Sequence, residues 1–555
     1  TLTDLNDYIT PSQACIKPVE QVNPSRAVES GAAATEIRID SNGSYYEVSK
    51  GLAQQTQKLQ QAEISLNDCL ACSGCITSAE SILITLQSHT EVLNFLEHNP
   101  SRLVPGHRIP VLSIAPQSLA SLAASLASSS GQPSVPLADV LSRVRAFATE
   151  CLGFDHVYDT TFARHLSLLE HIREFQERQD EDGHRLPMLA SACPGWVCYA
   201  EKTHSEMLPF ISQTKSPQAI MGTLVKGWMA HKWGKRPEDI YHITVMPCYD
   251  KKLEASRPDF FDEASNTRDV DCVLTTGEFV LLIKEKNFDL SVPVPPSPTL
   301  PSDLPDLLVH LGTSSGSYLH AIISHLIRSS PTPLTLSTAS AEATSKQNAD
   351  STEYVLTAPD GSTVFRGATC YGFRNLQNVV RRVARDAGIR VIRGRPTVVS
   401  KRGASQKAYD YVEVMACPGG CVNGGGQLPR STTAHIDTSG TLADDGDGGM
   451  GSKWADRAWT REVERAYWDG REPVGDRFGL LTPPASPKRK ATQIAERSNA
   501  HADQLALLVL SDMCNVSVSR WGEEMDAQGE ERRRKLFRTS YHAVESEVIG
   551  LGVKW

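Results

Sequence analysis

Short apolar runs alternate with amphipathic stretches through the middle of this chain. Runs of three to five mostly apolar residues predict buried strands at 111–115, 188–190, 243–246, 270–274 and 411–415. Helical patterns lie between them, at 375–387 and at 216–233, where Ser216 is the expected N-cap and Pro217 the first helical residue. This alternation of strands and helices predicts α/β lobes with mostly parallel sheets.

The length of the chain predicts more than one domain. At 555 residues it exceeds what one hydrophobic core usually supports. The predicted divisions are an N-terminal cysteine-containing unit at 1–100, a first α/β lobe at 101–265, a second α/β lobe at 266–430, a low-complexity linker at 431–500 and a helical C-terminal tail at 501–555. A proline-rich stretch near 292–305 and a Ser/Thr/Ala-rich stretch near 329–351 are expected to be disordered insertions in the second lobe.

Charge and composition exclude several classes of protein. A net charge of −9 and a pI near 6.0 predict no nucleic-acid partner. No apolar run reaches the 18 residues of a membrane span, and Asp4 and Asp7 interrupt any signal-peptide pattern, so we expect no membrane contact and no leader. We expect a cytoplasmic protein. The basic run Lys488-Arg489-Lys490 would extend this to the nucleus if it is an address, although a solvated linker is the preferred interpretation.

Eight of the 13 cysteines form two sets of four. In the first set, Cys69, Cys72 and Cys75 are spaced to bind three corners of one iron–sulfur cubane, as in bacterial ferredoxins. The next ferredoxin position holds Ala79, so the fourth ligand must be distant, and Cys15 is the remaining cysteine before Cys151. Four thiolates would also hold a structural zinc ion. Zinc ribbons pair two Cys-x-x-Cys knuckles, however, so the crowded loop favours a cluster.

The second set combines cysteines with glycines and prolines. Its members are Cys193 before Pro194, Cys248 after Pro247, and Cys417 with Cys421. The first three each follow a predicted strand, and in parallel α/β sheets sites collect at the carboxyl ends of the strands. Glycines at 419–420 and 424–426 allow close backbone approach and positive φ around a bulky cofactor. Four further thiolates therefore predict a second iron–sulfur site.

Three segments carry a resemblance to a known family. The segments Ala-Ser-Ala-Cys-Pro-Gly-Trp at 190–196, Met-Pro-Cys-Tyr-Asp-Lys-Lys-Leu-Glu at 246–254 and the glycine-rich 415–426 resemble the signatures of iron-only hydrogenases. The whole chain, including 11–18 and 541–545, is most similar to the eukaryotic iron-only-hydrogenase-like proteins of cytosolic iron–sulfur protein assembly, the nuclear prelamin A recognition factor-like family.

This resemblance implies a fold and a set of cofactors. It implies a two-lobed, iron-only-hydrogenase-like α/β body with a small N-terminal cluster-binding unit and a C-terminal extension. Two 4Fe–4S clusters are implied, with the second in the cleft between the lobes. The implied ligands are Cys15, Cys69, Cys72 and Cys75 for the first cluster, and Cys193 and Cys248 from one lobe with Cys417 and Cys421 from the other for the second.

The implied function is a non-enzymatic carrier that links an early scaffold to the late targeting complex for cytosolic and nuclear iron–sulfur proteins. The alternative is an iron-only hydrogenase or another electron-transferring oxidoreductase, and a third, weaker interpretation is a nuclear structural partner. Hydrogenases carry a proton-relaying cysteine immediately before the first ligand, whereas this chain has Ala192, which cannot exchange a proton. Lys251 does match the hydrogenase lysine that contacts the di-iron subcluster.

The last residue, Trp555, is a candidate partner-binding residue. Large aromatic side chains usually pack into the body. A terminal tryptophan is also a compact anchor for a partner pocket, and tryptophan is enriched among hot-spot residues. The family resemblance favours docking of this tail on the targeting complex, so we expect Trp555 to bind a partner.

Overall fold

The computed structural model describes residues 35–39, 45–49, 56–58, 78–181, 185–190, 192–294, 303–340, 350–392, 395–398, 408–430, 457–469, 489–523 and 525–544. The chain divides into two compact units, Thr1–Ser81 with Thr432–Asp456, and Ile82–Ser431 with Arg457–Trp555. The first unit contains an antiparallel three-stranded sheet in the order β1-β2-β3. The second unit contains two larger sheets and the helices that cover them.

The strands described in both units are β1 (Thr35–Ile39), β2 (Tyr45–Ser49), β3 (Thr56–Lys58), β4 (Ile109–Ile114), β5 (His156–Asp159), β6 (Met188–Leu189), β7 (Ile240–Met246), β8 (Phe261–Asp262), β9 (Thr267–Arg268), β10 (Cys272–Thr275), β11 (Thr335–Ser340), β12 (Ser351–Thr357), β13 (Thr363–Tyr371), β14 (Ile389–Ile392), β15 (Arg395–Val398) and β16 (Tyr411–Met415).

The α-helices in the same residues are α1 (Ser78–Thr85), α2 (His89–His98), α3 (Pro116–Ser130), α4 (Leu137–Ala146), α5 (Thr161–Asp180), α6 (Pro194–Thr203), α7 (Pro217–Thr223), α8 (Ala230–Lys232), α9 (Asp250–Ala255), α10 (Thr276–Glu285), α11 (Tyr318–Ser329), α12 (Phe373–Asp386), α13 (Arg457–Trp468), α14 (Arg489–Cys514) and α15 (Ala527–Phe537). Short 3₁₀ or π turns lie at Phe147–Cys151, Ser205–Phe210, Leu224–Met229, Pro237–Asp239, Pro258–Phe260 and Cys421–Asn423.

The first large sheet is entirely parallel, in the order β10-β7-β4-β5. All seven residues of β7 are buried, as expected for a parallel strand covered on both faces. In β4, Leu112 and Ile114 pack into one apolar cluster, whereas the alternate residue Val111 packs into another. The apolar run predicted at 111–115 is therefore a central strand with a core on each side.

The second large sheet is mixed, in the order β11-β12-β13-β16-β6. Strands β13, β16 and β6 are parallel, and β11 and β12 add an antiparallel edge. A third apolar cluster forms around this sheet and includes Tyr411, Val412 and Phe365. The expected α/β class is confirmed, and the expected parallel pairing holds throughout the first large sheet and among β13, β16 and β6 of the second.

The helix predicted at 216–233 begins as expected. The Ser216 hydroxyl accepts a hydrogen bond from the backbone N–H of Ala219 at 3.4 Å, and Pro217 is the first helical residue. Regular α-helix ends at Thr223, however, where the π turn follows before α8. The helix predicted at 375–387 corresponds to α12 within two residues.

The two large sheets do not correspond to two consecutive parts of the sequence. Strand β6 lies in the predicted first lobe but pairs with β16, and β10 lies in the predicted second lobe but pairs with β7. The expectation that Cys193 and Cys248 belong to one lobe is therefore wrong at the level of the sheets, because Cys193 follows β6 and Cys248 follows β7. The predicted domain boundaries themselves stay a prediction.

Two predicted low-complexity regions contain ordered elements. Within 431–500, α13 packs on α3 and buries Trp459, Val463 and Tyr467. This spacing of four residues is a helical apolar stripe that could have been read from the sequence. Within 329–351, the residues of β11 pair with β12, since β-branched threonines favour an extended edge. None of the helices that the structure describes is both long and apolar enough to cross a bilayer.

Candidate metal centre

The described cysteines of the second set follow three parallel strands. Cys193 is the residue before α6, Cys248 lies between β7 and α9, and Cys417 and Cys421 follow β16. Since β6 and β16 belong to one sheet and β7 to the other, the carboxyl ends of both sheets contribute to the site. Three of the cysteines follow strands of one sheet and one follows a strand of the other.

Glycines bring the loop after β16 against the loop after β7. The Gly426 N–H donates to the Pro247 carbonyl at 2.9 Å. A Cβ atom at Gly424 would lie 2.3 Å from that same oxygen, so any side chain there would push the two loops apart. Gly419 and Gly420 have positive φ angles of 71° and 85°. The glycine-rich segment therefore allows the loop after β16 to approach the loop after β7 closely, as small residues permit.

A backbone N–H donates to the thiol of Cys193, and contacts with Ser315 and Met415 position Cys421. The Ala416 N–H donates to Cys193 Sγ at 3.4 Å. The Cys421 N–H donates to Ser315 Oγ at 2.9 Å, and Cys421 Sγ lies 3.8 Å from Met415 Sδ. Backbone N–H groups aimed at sulfur stabilise thiolates and tune the potential of a cluster that they ligate. Ser315 was missed from the sequence because it lies in a serine-rich loop without a motif.

The four thiols influence one another. Burial raises the pKa of each of them above the ordinary 9.0, to about 12 for Cys421. Burial and then the Asp250 carboxylate and Cys417 raise the pKa of Cys248, and Cys193 likewise raises that of Cys417. Four thiolates at this site therefore repel one another, and a cationic iron–sulfur core between them would relieve that repulsion.

A cluster and a single ion make different demands on four cysteine ligands. Among the described residues, no three His, Cys, Asp or Glu side chains are placed to hold one metal ion. Zinc binds sulfur at about 2.3 Å, which requires tightly gathered ligands. In a cubane each thiolate binds its own iron, so the four ligands stand further apart. The donor set of four buried or partly buried cysteines fits a cubane.

Lys251 lies beside the cysteines with its charge compensated. Its ammonium group donates to Glu254 Oε2 at 2.8 Å and to the Ala192 carbonyl at 3.2 Å. Lys251, Glu254 and Ala192 are all buried, each with no more than 8 % of its surface exposed. Ala192 occupies the position at which hydrogenases place a relay thiol. Its side chain is a methyl group, and its backbone carbonyl accepts the hydrogen bond from Lys251.

A buried carboxylate supports the loop that holds Cys421. Glu413 is fully buried on β16 and accepts hydrogen bonds from Thr313 Oγ1 and Tyr371 Oη, both at 2.7 Å, and from the Leu319 N–H at 2.9 Å. These contacts fix the loop at 313–317, which includes Ser315. Glu413 was missed because a lone glutamate within an apolar strand carries no sequence motif.

The other cysteines have separate surroundings. Cys272 is buried in the apolar core of the first sheet, as its Val/Leu context predicts. Cys151 is exposed, Cys514 is buried in the cluster that contains Val111, and Cys370 is buried in the cluster that also contains Cys193. Cys15, Cys69, Cys72 and Cys75 lie outside the described residues, as does Trp555.

Comparison with known proteins agrees with this geometry. The model of the iron-only hydrogenase large subunit, C-terminal domain, matches residues 108–425. Two variants of [FeFe]-hydrogenase HydA1 from Chlamydomonas reinhardtii, one of them in the apo form, have TM-scores of 0.55 and 0.54 at 23 % identity. Each alignment covers 82 % of this chain and 99 % of the hydrogenase. The predicted iron-only-hydrogenase-like fold is confirmed.

Several relatives match along the full length of the chain. The cytosolic Fe-S cluster assembly factor NAR1 of Cryptococcus neoformans is 41 % identical over 100 % of this chain and 99 % of the relative. The factor narfl of Xenopus tropicalis is 40 % identical, and cytosolic iron-sulfur assembly component 3 of Rattus norvegicus is 39 % identical, each over 100 % of this chain and 98 % of the relative.

The fold and the cysteine site define an iron-only hydrogenase-like protein, and the chain belongs to that family. Within it, the chain belongs to the cytosolic Fe-S cluster assembly factors, as the resemblance predicts.

Proposed function

We propose that this protein acts in cytosolic iron–sulfur protein assembly as a cluster-binding carrier and not as a catalyst. The observation that carries the proposal is the site itself. Cys193, Cys417 and Cys421 follow strands of one sheet and Cys248 follows a strand of the other, while Ala192, next to Cys193, stands where a proton donor would be needed. The names of the full-length relatives support the same process.

Two 4Fe–4S clusters complete this proposal. Cys193, Cys248, Cys417 and Cys421 would hold one, and Cys15, Cys69, Cys72 and Cys75 the other. When bound, each cluster supplies a one-electron redox centre and a transferable iron–sulfur unit. At the described site the protein contributes backbone N–H donors to sulfur, burial, and the N-terminus of α6 beside Cys193, whose dipole favours negative charge.

The alternative activity, an iron-only hydrogenase or another electron-transferring oxidoreductase, has one observation in its favour. Lys251 lies at the site, where a lysine contacts the di-iron unit in hydrogenases. Its ammonium group, however, is held by Glu254 and by the Ala192 carbonyl. The charge of Lys251 is therefore compensated within the protein without an additional group, which favours the carrier.

A hydrogen-evolution assay separates the two functions. Anaerobically loaded protein, mixed with reduced viologen, is expected to evolve hydrogen only at the protein-free rate, because Ala192 has no exchangeable side-chain proton. The Ala192→Cys variant should behave in the same way, since a thiol alone does not supply a di-iron cofactor. Hydrogen evolution above background by the unaltered protein would support the oxidoreductase and contradict the carrier.

The proposed partners are an early scaffold and a late targeting complex of cytosolic iron–sulfur assembly, and the proposed location is the cytosol with access to the nucleus. The relatives named as cytosolic assembly factors support this assignment. Trp555 is proposed as the residue that docks on the targeting complex, since tryptophan side chains bury a large apolar area at hot spots.

Deletion of Trp555 is expected to weaken capture of the targeting complex by about 2 kcal/mol or more, the usual hot-spot scale. Iron content and the thermal unfolding temperature should not change, because the cysteine sites do not include this residue. Binding measured with purified targeting complex tests the expectation, and Lys554→Ala serves as a control that retains the aromatic ring. A lowered unfolding temperature with intact capture would assign Trp555 to core packing instead.

A further inference from the structure

Two helices begin at cysteines of the metal centre and pack side by side. Helix α6 follows Cys193, and α9 follows Cys248 within two residues. Their first turns are in close contact, since a Cβ atom at Gly195 would lie 2.9 Å from Asp250 Oδ2. Because each helix is continuous with its cysteine, the separation of these two thiols depends on how α6 packs against α9.

An ion pair joins the far ends of the same two helices. Arg257, just after α9, donates from Nη1 to Glu201 Oε2 at 2.9 Å and from Nη2 to Glu201 Oε1 at 2.8 Å. The side chains are 17 % and 9 % exposed, so water screens the pair only weakly. Bidentate pairs of this kind fix orientation as well as distance. Since α6 follows the second sheet and α9 the first, the pair also joins the two sheets.

A segment near the C-terminus crosses this ion pair. Residues 538–544, the C-terminal strap, run from the end of α15 along the body. The strap starts beside Gln213, whose carbonyl accepts from the Thr539 N–H at 2.8 Å. Two of its amides then bind Glu201: the His542 N–H donates to Oε1 at 3.1 Å, and the Val544 N–H donates to the backbone carbonyl at 2.9 Å.

Arg257 binds the strap from the other side. Its Nη2 donates to the Ser540 carbonyl at 3.3 Å, and its guanidinium carbon lies 5.4 Å from the centre of the Tyr541 ring. Both members of the ion pair are therefore shared between the two cysteine-bearing helices and the strap. A shift of α6 against α9 would misalign the surface on which the strap binds.

We propose that the Glu201–Arg257 ion pair couples filling of the cysteine site to binding of the C-terminal strap. A cluster bridging Cys193 and Cys248 fixes α6 relative to α9, which holds the ion pair in the geometry that binds the strap. Linkage makes the effect reciprocal, so a bound strap also strengthens cluster retention. The strap ends at Val544, eleven residues before Trp555 in the sequence. This inference rests on the proposed function, because the ligand is the cluster.

Hydrogen exchange of the full chain tests the coupling. Exchange is followed anaerobically before and after cluster reconstitution, with iron and sulfide measured in the same samples. Loading is expected to slow exchange of the His542 and Val544 amides by about tenfold, within the usual range of coupling between sites. The amide of Leu307, which donates to Asp159 Oδ2 at 2.7 Å, is the internal control and should not change.

Variants locate the coupling at the ion pair. In Glu201→Gln, loading should no longer slow exchange in the strap. The matched control is Asp306→Asn, which breaks another bidentate pair, with Arg145, beside the edge strand β5 of the first sheet and should leave the coupling intact. Unchanged exchange in the unaltered protein with a filled site would overturn this inference while leaving the proposed function in place. Failure of the site to fill at all would instead refute the proposed function.

Two deletions test whether a bound strap strengthens cluster retention, and neither of them changes Glu201 or Arg257. In a Cys72→Ala background, which confines loading to the described site, deletion of 540–555 removes most of the strap, whereas deletion of 545–555 retains it. Iron release to a chelator should be faster by about tenfold in the first variant and unchanged in the second. Equal rates of release in both variants would contradict the coupling.

Discussion

Replacement of Cys417 by serine is expected to lower the iron content of reconstituted protein from about eight to about four per chain, with a matching loss of sulfide. Cys417 lies after β16 among the thiols of the described site, and a cubane takes one thiolate for each of its four irons, so loss of one ligand is expected to prevent stable binding. Serine retains the volume but not the soft sulfur ligand that iron–sulfur clusters require.

Loss of this cluster is also expected to lower the stability of the body. The four ligands come from strand ends in two sheets, so a cluster ties the sheets together, and binding free energy becomes folding free energy. The rise in unfolding temperature on loading should therefore shrink in Cys417→Ser. Cys151→Ser is the control, because Cys151 is exposed and away from the site. Zinc without sulfide in anaerobically purified protein would refute the cluster assignment.

Replacement of Glu170 by glutamine is expected to destabilise the protein by about 3–5 kcal/mol, the usual effect of removing one member of a buried ionic group. Glu170 on α5 is fully buried and binds Arg533 of α15 and Arg538, the latter at 2.6 Å. The two arginine side chains are 2 % and 9 % exposed. Without the carboxylate, both guanidinium groups remain buried with less compensation, and of their two glutamate partners on α5 only Glu177 remains.

Urea unfolding measures this effect. Glu181→Gln is the matched control, since Glu181 pairs with Arg185 at the exposed end of the same helix, with side chains 55 % and 39 % exposed. That variant should change the free energy of unfolding by less than about 1 kcal/mol, as exposed pairs usually do. A loss below about 1 kcal/mol for Glu170→Gln would mean that α15 is held by apolar packing, chiefly through Phe537 and Trp521.

Local features of the sequence predicted the strands and helices around the described site and its four candidate ligands. The apolar run at 411–415 is β16, the Ser216-Pro217 pair begins α7, and the cysteines follow strands as their spacing indicates. These features are readable because periodicity, capping and ligand spacing depend on residues close together in the chain. The role of the glycines at 419–426 could also be predicted from the sequence. A positive φ angle or a close approach of another loop favours glycine, whichever segment that loop belongs to.

Only the tertiary structure decided which sheet each strand joins and how the C-terminal residues bind. Short strand β6 pairs with β16 more than 200 positions away, and Glu170 pairs with Arg533 across 363 positions. Sequence patterns do not specify such partners, because a buried strand or a charged residue carries no information about which distant segment will lie beside it. The sheets that share the cysteines, and the strap across Glu201 and Arg257, therefore follow from packing of the whole chain.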